Sequence, residues 1–217
     1  MSSNRIVNGF GIVAAMTKNQ VIGVDGSLPW KRLIQDRNHF VNLTRNKVLL
    51  VGRRTFALED PSLAHVQHCR ACVVVSKSMN KGDLVAARVG GSEHDLPKLL
   101  LATSFEEALE LARLEKLIKT EQPNSVDCDE TIDCWVAGGE AIYKEALQHP
   151  NAIEIQLTHV DMTVDTNRSL DVAFFPLEDM DVNNFEQVAS KSSGICQFNV
   201  YRKRAEILNG LAKNSEE

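Results

Sequence analysis

Four short apolar runs, none of them interrupted by a charged residue, are the feature that most constrains the fold of this chain. They occupy residues 10–16, 48–51, 71–75 and 134–137. An uninterrupted apolar run of this length is typical of a strand that is covered on both faces, as in a parallel sheet. A predicted helix follows each run, at residues 31–44, 53–56, 104 onward and 140–148. This alternation predicts a single α/β domain whose central β-sheet is mostly parallel and flanked by helices.

The C-terminal third of the chain has the pattern of further strands. Residues 153–160 alternate between apolar and polar side chains, which is typical of a half-buried strand. Two more strand-like segments follow at residues 185–189 and 198–201. Closing strands of this kind predict that the sheet has an antiparallel C-terminal edge strand.

The other segments are predicted to lie outside the regular core. The domain itself is expected to span residues 10–204, after an N-terminal extension at residues 1–9 and before a flexible C-terminal tail at residues 205–217. Residues 79–97 and 121–131 are polar and lack sustained periodicity, which predicts two surface insertions within the domain.

Composition argues against several classes of protein. Of the 217 residues, 43% are hydrophobic, which is enough for one sizeable core. The net charge of −5 argues against a general binder of nucleic acid or of an anionic membrane. No apolar run approaches the ~20 residues that a membrane helix needs, and residues 1–5 lack the pattern of a signal peptide. We therefore expect a cytoplasmic protein that requires neither nucleic acid nor a membrane.

The five cysteines are expected to be free thiols in a reducing compartment. Cys69 and Cys72 form a C-x-x-C pattern close to His65 and His68, which superficially suggests a metal site. Arg70 lies between the two thiols, however, and no second ligand pair with zinc-type spacing follows. No metal site is therefore predicted.

Asp36 is the single acidic residue in the strongly basic stretch between Gly26 and Leu58. Seven cations share this stretch: Lys31, Arg32, Arg37, Arg45, Lys47, Arg53 and Arg54. Apolar neighbours place the carboxyl where the predicted helix faces a core: Leu33, Ile34 and Phe40. Because an isolated buried charge is costly, such a carboxyl must be neutral, paired or functional. The surrounding cations suggest a site for anionic ligands.

Three of the predicted strands end in residues that can bind anions. Gly138-Gly139 and Gly52-Arg53-Arg54-Thr55 each lie between a strand and a helix, and Ser76-Lys77 ends a third strand. Glycines there let the backbone approach a pyrophosphate, and guanidinium groups suit a phosphate dianion. Each segment alone is also compatible with a tight turn or a solvated basic surface. Together they predict a ligand site at the carboxyl ends of the strands.

Over residues 10–202 the chain resembles the dihydrofolate reductase family. The residues that carry the resemblance are Ile12-Val13-Ala14-Ala15, Ile22-Gly23, Leu28-Pro29-Trp30, Asp36, Phe40, Thr44, Val51-Gly52-Arg53-Arg54-Thr55-Phe56, Ser76, Val136-Ala137-Gly138-Gly139, Tyr143, Leu157-Thr158, Phe174-Phe175-Pro176 and Phe198-Asn199-Val200-Tyr201. The most specific part is the Leu28-Pro29-Trp30 corner, followed by an acid six residues after Trp30 and by Phe40 four residues later.

The resemblance implies a monomeric enzyme that reduces 7,8-dihydrofolate to 5,6,7,8-tetrahydrofolate by hydride transfer from NADPH. Asp36 would promote protonation of the pterin at N5, and closure of a loop at residues 19–28 would exclude water. The product would supply one-carbon and thymidylate metabolism. Antifolate inhibitors would bind at the same site as dihydrofolate.

The resemblance also implies roles for individual residues. The catalytic residues would be Asp36, Trp30, Leu28, Thr158 and Tyr143. Dihydrofolate would be bound by Val13, Ala14, Asp36, Phe40, Arg70, Ala137 and Thr158. NADPH would be bound by Ala15, Ile22, Gly23, Gly52, Arg53, Arg54, Thr55, Ser76, Lys77, Ser104, Gly138, Gly139, Glu140, Ala141 and Ile142. Within these sets, Arg70 would pair with the glutamate carboxylate of the substrate.

The chain departs from the family pattern beside two of these residues. Arg37 follows Asp36 at a position where the family usually has an apolar or aromatic residue that lines the benzoyl pocket. Cys69 precedes Arg70 where a small residue is normal. Two alternatives also stay open: a reductase of riboflavin precursors with the same fold, and a binding module without activity, for RNA or a regulatory partner.

Overall fold

The computed structural model describes residues 9–31, 33–57, 66–86, 97–120, 132–168, 171–181 and 183–204. The insertion predicted at residues 121–131 and the C-terminal tail predicted from residue 205 lie outside the described residues, as does the N-terminal extension up to residue 8. The insertion predicted at residues 79–97 is described only at residues 79–86 and 97.

Ten strands form two sheets in the described part of the chain. They are β1 (Phe10–Thr17), β2 (Val21–Val24), β3 (Val48–Gly52), β4 (Ala71–Val75), β5 (Lys98–Ala102), β6 (Cys134–Val136), β7 (Ala152–Val160), β8 (Val172–Phe174), β9 (Phe185–Ser193) and β10 (Cys196–Lys203). The large sheet has the order β5-β4-β3-β6-β1-β7-β10-β9, and β2 pairs with β8 in a small one. Neighbours from β5 to β7 are parallel, whereas β10 is antiparallel to β7 and β9.

Five α-helices accompany the strands within the described ranges. They are α1 (Ile34–Thr44), α2 (Arg53–Phe56), α3 (Lys81–Ala86), α4 (Phe105–Thr120) and α5 (Glu140–Gln148). Two short 3₁₀ segments occur at Thr166–Arg168 and Leu177–Asp179. Of the helices in these ranges, none combines the length and the apolar character needed to cross a membrane.

The large sheet carries a hydrophobic core on each face, because side chains on successive strand residues point to opposite sides. On β1, Ile12 belongs to the core on one face and Val13 to the core on the other. Helices α4 and α5 complete the first core through Phe105 and Ile142. Phe40 of α1 packs at the margin of the second core. Coverage on both faces explains why β1, β3, β4 and β6 are uninterrupted apolar runs.

The predicted fold class is confirmed, but several details of the prediction are wrong. The antiparallel edge consists of two strands, β10 and β9, rather than one. Strand β2 lies inside the segment predicted as a loop, and its partner β8 is missing from the prediction. These two strands have only four and three residues and pair across a long sequence separation, so local patterns reveal them poorly.

Two further differences concern α1 and the predicted insertion. Helix α1 begins at Ile34 rather than Lys31, because Leu33 has an extended backbone (φ −95°, ψ 99°). The insertion predicted at residues 79–97 contains α3 and leads directly into β5. Strand β5 lies at the edge of the sheet beside β4 and is only partly buried. Its short leucine run was therefore too weak a pattern to predict a strand directly after the polar residues 79–97.

The parallel strands determine where a ligand can bind. Because β1, β3, β4, β6 and β7 run in the same direction, their carboxyl ends lie along one edge of the sheet. Helices α2 and α5 begin at this edge, directly after β3 and three residues beyond Ala137. In open α/β sheets, ligands bind outside the carboxyl ends of the strands.

Candidate active site

The structure places the predicted site residues mainly on the strands that end at this edge and on the adjoining helices. Val13, Ala14 and Ala15 lie on β1; Ile22 and Gly23 on β2; Leu28 and Trp30 between β2 and α1; Asp36 and Phe40 on α1; Gly52 at the end of β3; Arg53, Arg54 and Thr55 on α2; Arg70 before β4; Ser76 and Lys77 after it; Ser104 before α4; Ala137, Gly138 and Gly139 between β6 and α5; Glu140, Ala141, Ile142 and Tyr143 on α5; and Thr158 on β7.

Asp36 lies in the first turn of α1, where its carboxyl group is half-buried. Burial raises the pKa of Asp36 above its ordinary value, because removing the charged form from water is unfavourable. A hydrogen bond with the Thr158 side chain lowers the pKa by a smaller amount. Asp36 is therefore a carboxyl group that holds its proton more tightly than an exposed aspartate does.

Thr158 is fixed at the centre of the sheet beside Asp36. It is buried, and on β7 it pairs with Ala15 of β1 on one side and with Phe198 of β10 on the other. Strands on both sides hold its backbone, so its hydroxyl has a defined position next to the carboxyl group. The structure therefore brings Thr158 and Asp36, two of the predicted site residues, next to each other.

Tyr143 connects α5 to β1 at the same edge. Its buried hydroxyl donates a hydrogen bond of 2.8 Å to the backbone carbonyl oxygen of Val13, and its ring packs on Phe175 with centroids 5.2 Å apart. Burial raises the pKa of Tyr143, and the negative charge of Asp36 raises it further. This electrostatic effect reflects the proximity of Asp36 to the Tyr143 hydroxyl.

The Gly138-Gly139 turn joins β6 to α5 and touches the end of β3. Its peptide bond is cis, and Gly138 has a φ of 105°. The Gly52 N–H donates a 2.6 Å hydrogen bond to the Gly138 carbonyl oxygen, which brings two of the predicted anion-binding segments together. A Cβ atom added to Gly139 would lie 3.0 Å from Thr55 Oγ1. Only glycine leaves this space open above the start of α5.

The two arginines of α2 differ in their surroundings. Arg54 forms an ion pair with Asp171, and both side chains remain substantially exposed. Arg53 is exposed and makes no side-chain hydrogen bond or ion pair with the described residues. Arg53 is therefore the more available of the two cations for an anionic ligand.

The predicted anion-binding residues near β4 and β5 have partly structural roles. The Ser76 hydroxyl oxygen accepts hydrogen bonds from the backbone N–H groups of Ser78 and Met79, at 3.2 and 3.0 Å. The Ser104 hydroxyl caps α4 by accepting a 3.2 Å hydrogen bond from the Glu107 N–H. Lys77 is exposed. Ser76 and Lys77 follow β4 at the same sheet edge as Gly52.

The segment that contains Leu28 and Trp30 follows a tight turn after β2. Val24 and Ser27 exchange backbone hydrogen bonds of 2.9 and 3.0 Å around Asp25 and Gly26. Both of these central residues have positive φ angles, 47° and 79°, as a type I′ turn requires. Beyond the turn, Leu28 is 53% exposed, so a large apolar residue faces solvent in this segment.

Arg70, which is predicted to pair with the glutamate carboxylate of the substrate, already contacts a carboxylate of the chain itself. Its guanidinium forms an ion pair with Asp133, with 2.5 Å between Nη2 and Oδ2. Nη1 donates to the same carboxylate at 3.2 Å and to the backbone carbonyl of Asn46 at 2.7 Å. The structure therefore gives Arg70 an internal anionic partner that was not anticipated from the sequence.

Sequence reasoning also missed a hydrogen-bonded pair formed by His39 of α1 and Gln156 of β7. His39, three residues after Asp36, packs its ring on Phe198 with centroids 4.6 Å apart. Burial lowers the pKa of His39, and a hydrogen bond with Gln156 of β7 partly offsets this. The spacing of three residues from Asp36 on a helix was the available signal. Arg37, next to Asp36, is exposed.

Cys69 and Cys72 are both buried in the core on the second face of the sheet. Burial raises the pKa of the Cys69 thiol to about 12, so it stays protonated at neutral pH. Metals bind the thiolate rather than the thiol. Within the described ranges, no group of three or more potential metal ligands comes together.

Comparison with known proteins agrees with this geometry. The profile of the dihydrofolate reductase family matches residues 10–209. Dihydrofolate reductase of Aedes albopictus is 27% identical over 174 residues, which is 77% of this chain and 78% of that protein. The enzyme of Sus scrofa is 24% identical over 196 residues, covering 87% of this chain and 89% of its own. Dihydrofolate reductase of Heliothis virescens is 28% identical over 172 residues, covering 76% and 77%.

The matched region begins at β1 and extends beyond β10, so it includes the whole sheet and the residues around Asp36. The eight-stranded sheet, its antiparallel C-terminal strands and the glycine turn after β6 all lie within it. From the extent of the match and the fold on which it falls, the chain belongs to the dihydrofolate reductase family.

Proposed function

We propose that this member of the family reduces 7,8-dihydrofolate to 5,6,7,8-tetrahydrofolate with NADPH, and that Asp36 promotes protonation of the pterin at N5. The observation that carries the proposal is the place of Asp36, a half-buried carboxyl with a raised pKa beside Thr158. NADPH, when bound, supplies the hydride. The residues of the chain bind and orient the pterin, exclude water and deliver the proton.

Asp36 has the properties that this role needs. The two oxygens of a carboxyl group can bind the amino group and a ring nitrogen of a pterin side by side. A raised pKa moves a carboxyl group toward the range in which it exchanges protons near neutral pH. Thr158 supports the carboxyl through its hydroxyl. Because the carboxyl binds one edge of the ring, the proton passes to N5 through water.

Backbone carbonyls complete the pterin pocket in this proposal. The Val13 carbonyl oxygen accepts a hydrogen bond from the Tyr143 hydroxyl, which uses one of its two lone pairs. The second lone pair, together with the carbonyl of Ala137, can accept from the amino group of the pterin. Ala14 on β1 lines the same pocket, and Phe40 offers its ring to the aminobenzoyl part of the substrate.

The residues at the strand ends fit a dinucleotide. The space that a side chain at Gly139 would fill lies above the first turn of α5, whose N–H groups attract a pyrophosphate. Arg53, exposed and without a partner within the described ranges, can bind a phosphate group, and Thr55 can donate a hydrogen bond. Ser76 and Lys77 extend this polar edge along β4. Ile22 and Ala15 offer an apolar wall to the nicotinamide.

Leu28 and Trp30 shield the reacting rings in this proposal. Leu28 is 53% exposed, so its side chain is available to close over an apolar ring. The β2–β8 pairing and the type I′ turn anchor the start of this segment. Covering the site excludes water and strengthens the electrostatic interactions inside it.

Loss of NADPH absorbance on addition of dihydrofolate tests the proposal, with Asp36→Asn as the comparison. Asparagine keeps the size of the side chain but cannot hold the proton, so turnover is expected to fall by about 10²-fold or more. Absence of turnover in the wild type, or undiminished turnover in the variant, would contradict the proposal. Tight NADPH binding without dihydrofolate turnover would favour a reductase of riboflavin precursors with the same fold.

A further inference from the structure

Arg70 already has a carboxylate of the chain bound to its guanidinium. Asp133 accepts hydrogen bonds from Nη2 at 2.5 Å and from Nη1 at 3.2 Å, so it occupies the end-on fork of the guanidinium. The other fork, formed by Nε and Nη2, includes a buried Nε that has no partner among the described residues. A second carboxylate therefore finds no exposed pair of donors on Arg70.

The ion pair is also well shielded from solvent. The side chains of Arg70 and Asp133 are only 19% and 9% exposed. Pulling Asp133 away from Arg70 would leave a buried carboxylate without a cation, which is strongly unfavourable. A ligand carboxylate that approaches from solvent thus cannot displace Asp133 easily, and it meets a guanidinium whose charge is already neutralised.

The position of Arg70 is the one that the tail of dihydrofolate would reach. Nη1 of Arg70 donates to the carbonyl of Asn46, two residues beyond the last residue of α1. Asp36 lies near the other end of this helix, and the eight positions from Asp36 to Thr44 correspond to about 12 Å at the rise of a helix. A pterin held at Asp36 would extend its aminobenzoyl-glutamate along α1 toward Arg70. This step rests on the proposed function.

We propose that Asp133 is a specificity-determining residue, because it competes with the glutamate carboxylate of the substrate for Arg70. The enzyme then gains little from the glutamate and reduces dihydropterins that lack it almost as well as dihydrofolate. Removing the negative charge of Asp133 releases Arg70 and creates a preference for the glutamate-bearing substrate.

The test compares kcat/KM for dihydrofolate and for dihydropteroate, which is the same molecule without the glutamate. In the wild type the two values are expected to agree within about three-fold, whereas in Asp133→Asn the ratio in favour of dihydrofolate rises about ten-fold or more. Glu110→Gln is the matched control, because it removes one negative charge from an exposed ion pair with Arg113 and leaves the ratio unchanged. General damage to the fold lowers both values together and does not move the ratio.

Arg70→Lys gives a second readout if Asp133→Asn does not fold. Lysine keeps the positive charge beside Asp133 but lacks the fork that binds a carboxylate side by side. The inference expects an unchanged ratio, since the substrate does not use the fork in the wild type. A wild-type ratio that is large and falls about ten-fold in Arg70→Lys would overturn it, as would an unchanged ratio in a folded Asp133→Asn. Failure to reduce either substrate would instead contradict the proposed function.

Discussion

The hydroxyl group of Tyr143 donates a 2.8 Å hydrogen bond to the backbone carbonyl oxygen of Val13, and so ties α5 to β1 at the edge of the sheet. Phenylalanine at this position would leave a buried carbonyl oxygen without its partner. We therefore expect Tyr143→Phe to lower the free energy of unfolding by about 1 kcal/mol, measured by urea denaturation. Tyr201→Phe is the control, because the Tyr201 hydroxyl has no hydrogen-bond partner among the described residues and its loss should have little effect. Equal losses in both variants would contradict this account.

Asp36 is expected to lower stability at neutral pH, as a group placed for function often does. Burial raises its pKa in the folded protein, so the folded state binds the proton more tightly than the unfolded state. The free energy of unfolding should therefore decrease as the pH rises from about 3.9, the ordinary value, through the raised pKa.

Urea denaturation at several pH values checks this sign. Asp36→Asn removes the titration, so the variant should be more stable than the wild type near pH 7 and should lose this advantage as the pH falls. A variant that is less stable than the wild type at neutral pH would show that Asp36 forms a net favourable charge interaction instead.

Arg53 is expected to contribute to NADPH affinity through a phosphate contact. Arg53→Gln should weaken NADPH binding about ten-fold, as loss of one hydrogen bond to a charged group does. Isothermal titration calorimetry provides the measurement, and Lys31→Gln is the matched control because Lys31 is also exposed and has no assigned role. The difference between the variants should shrink at high salt. Equal weakening in both would indicate a diffuse effect of charge rather than a specific contact.

Gly138 should not tolerate a side chain. Its φ of 105° is unfavourable for any other residue, and an added Cβ would lie 3.0 Å from the ring of Tyr143. We expect Gly138→Ala to reduce the free energy of unfolding by about 1–3 kcal/mol. Gly23→Ala serves as the control in the same denaturation experiment, since its nearest atoms would be at an ordinary 3.6 Å. Similar stability of the two variants would contradict the claim that the turn is tightly constrained.

Strands β1, β3, β4 and β6 were predictable because they are buried on both faces and are therefore apolar throughout. The association of Asp36 with Thr158 followed from the resemblance, which places both residues in motifs with characteristic spacing. Strands β2 and β8 were missed because each is too short to have a pattern and is stabilised only by the other. Strand β5 was missed because it directly follows a polar segment.

The partner of Arg70 could not be predicted from the sequence. Asp133 is 63 residues away in the sequence. It lies close to the polar segment 121–131, which contains several acidic residues, so no local pattern distinguishes it from them. The two side chains meet only because β3 pairs with both β4 and β6, which brings the starts of β4 and β6 to the same side of the sheet. Such a contact depends on strand order rather than on any local pattern.

The most direct test of the central claim is the pH dependence of kcat/KM for dihydrofolate reduction in the wild type and in Asp36→Asn. If Asp36 delivers the proton to N5, the wild-type value should be level at low pH and fall as the pH rises through the raised pKa of the carboxyl group. The variant should be about 10²-fold or more slower near neutral pH and should recover toward the wild type in acid, where solvent supplies the proton. A deficit in Asp36→Asn that stays constant across the pH range, or no deficit, would contradict the role proposed for Asp36.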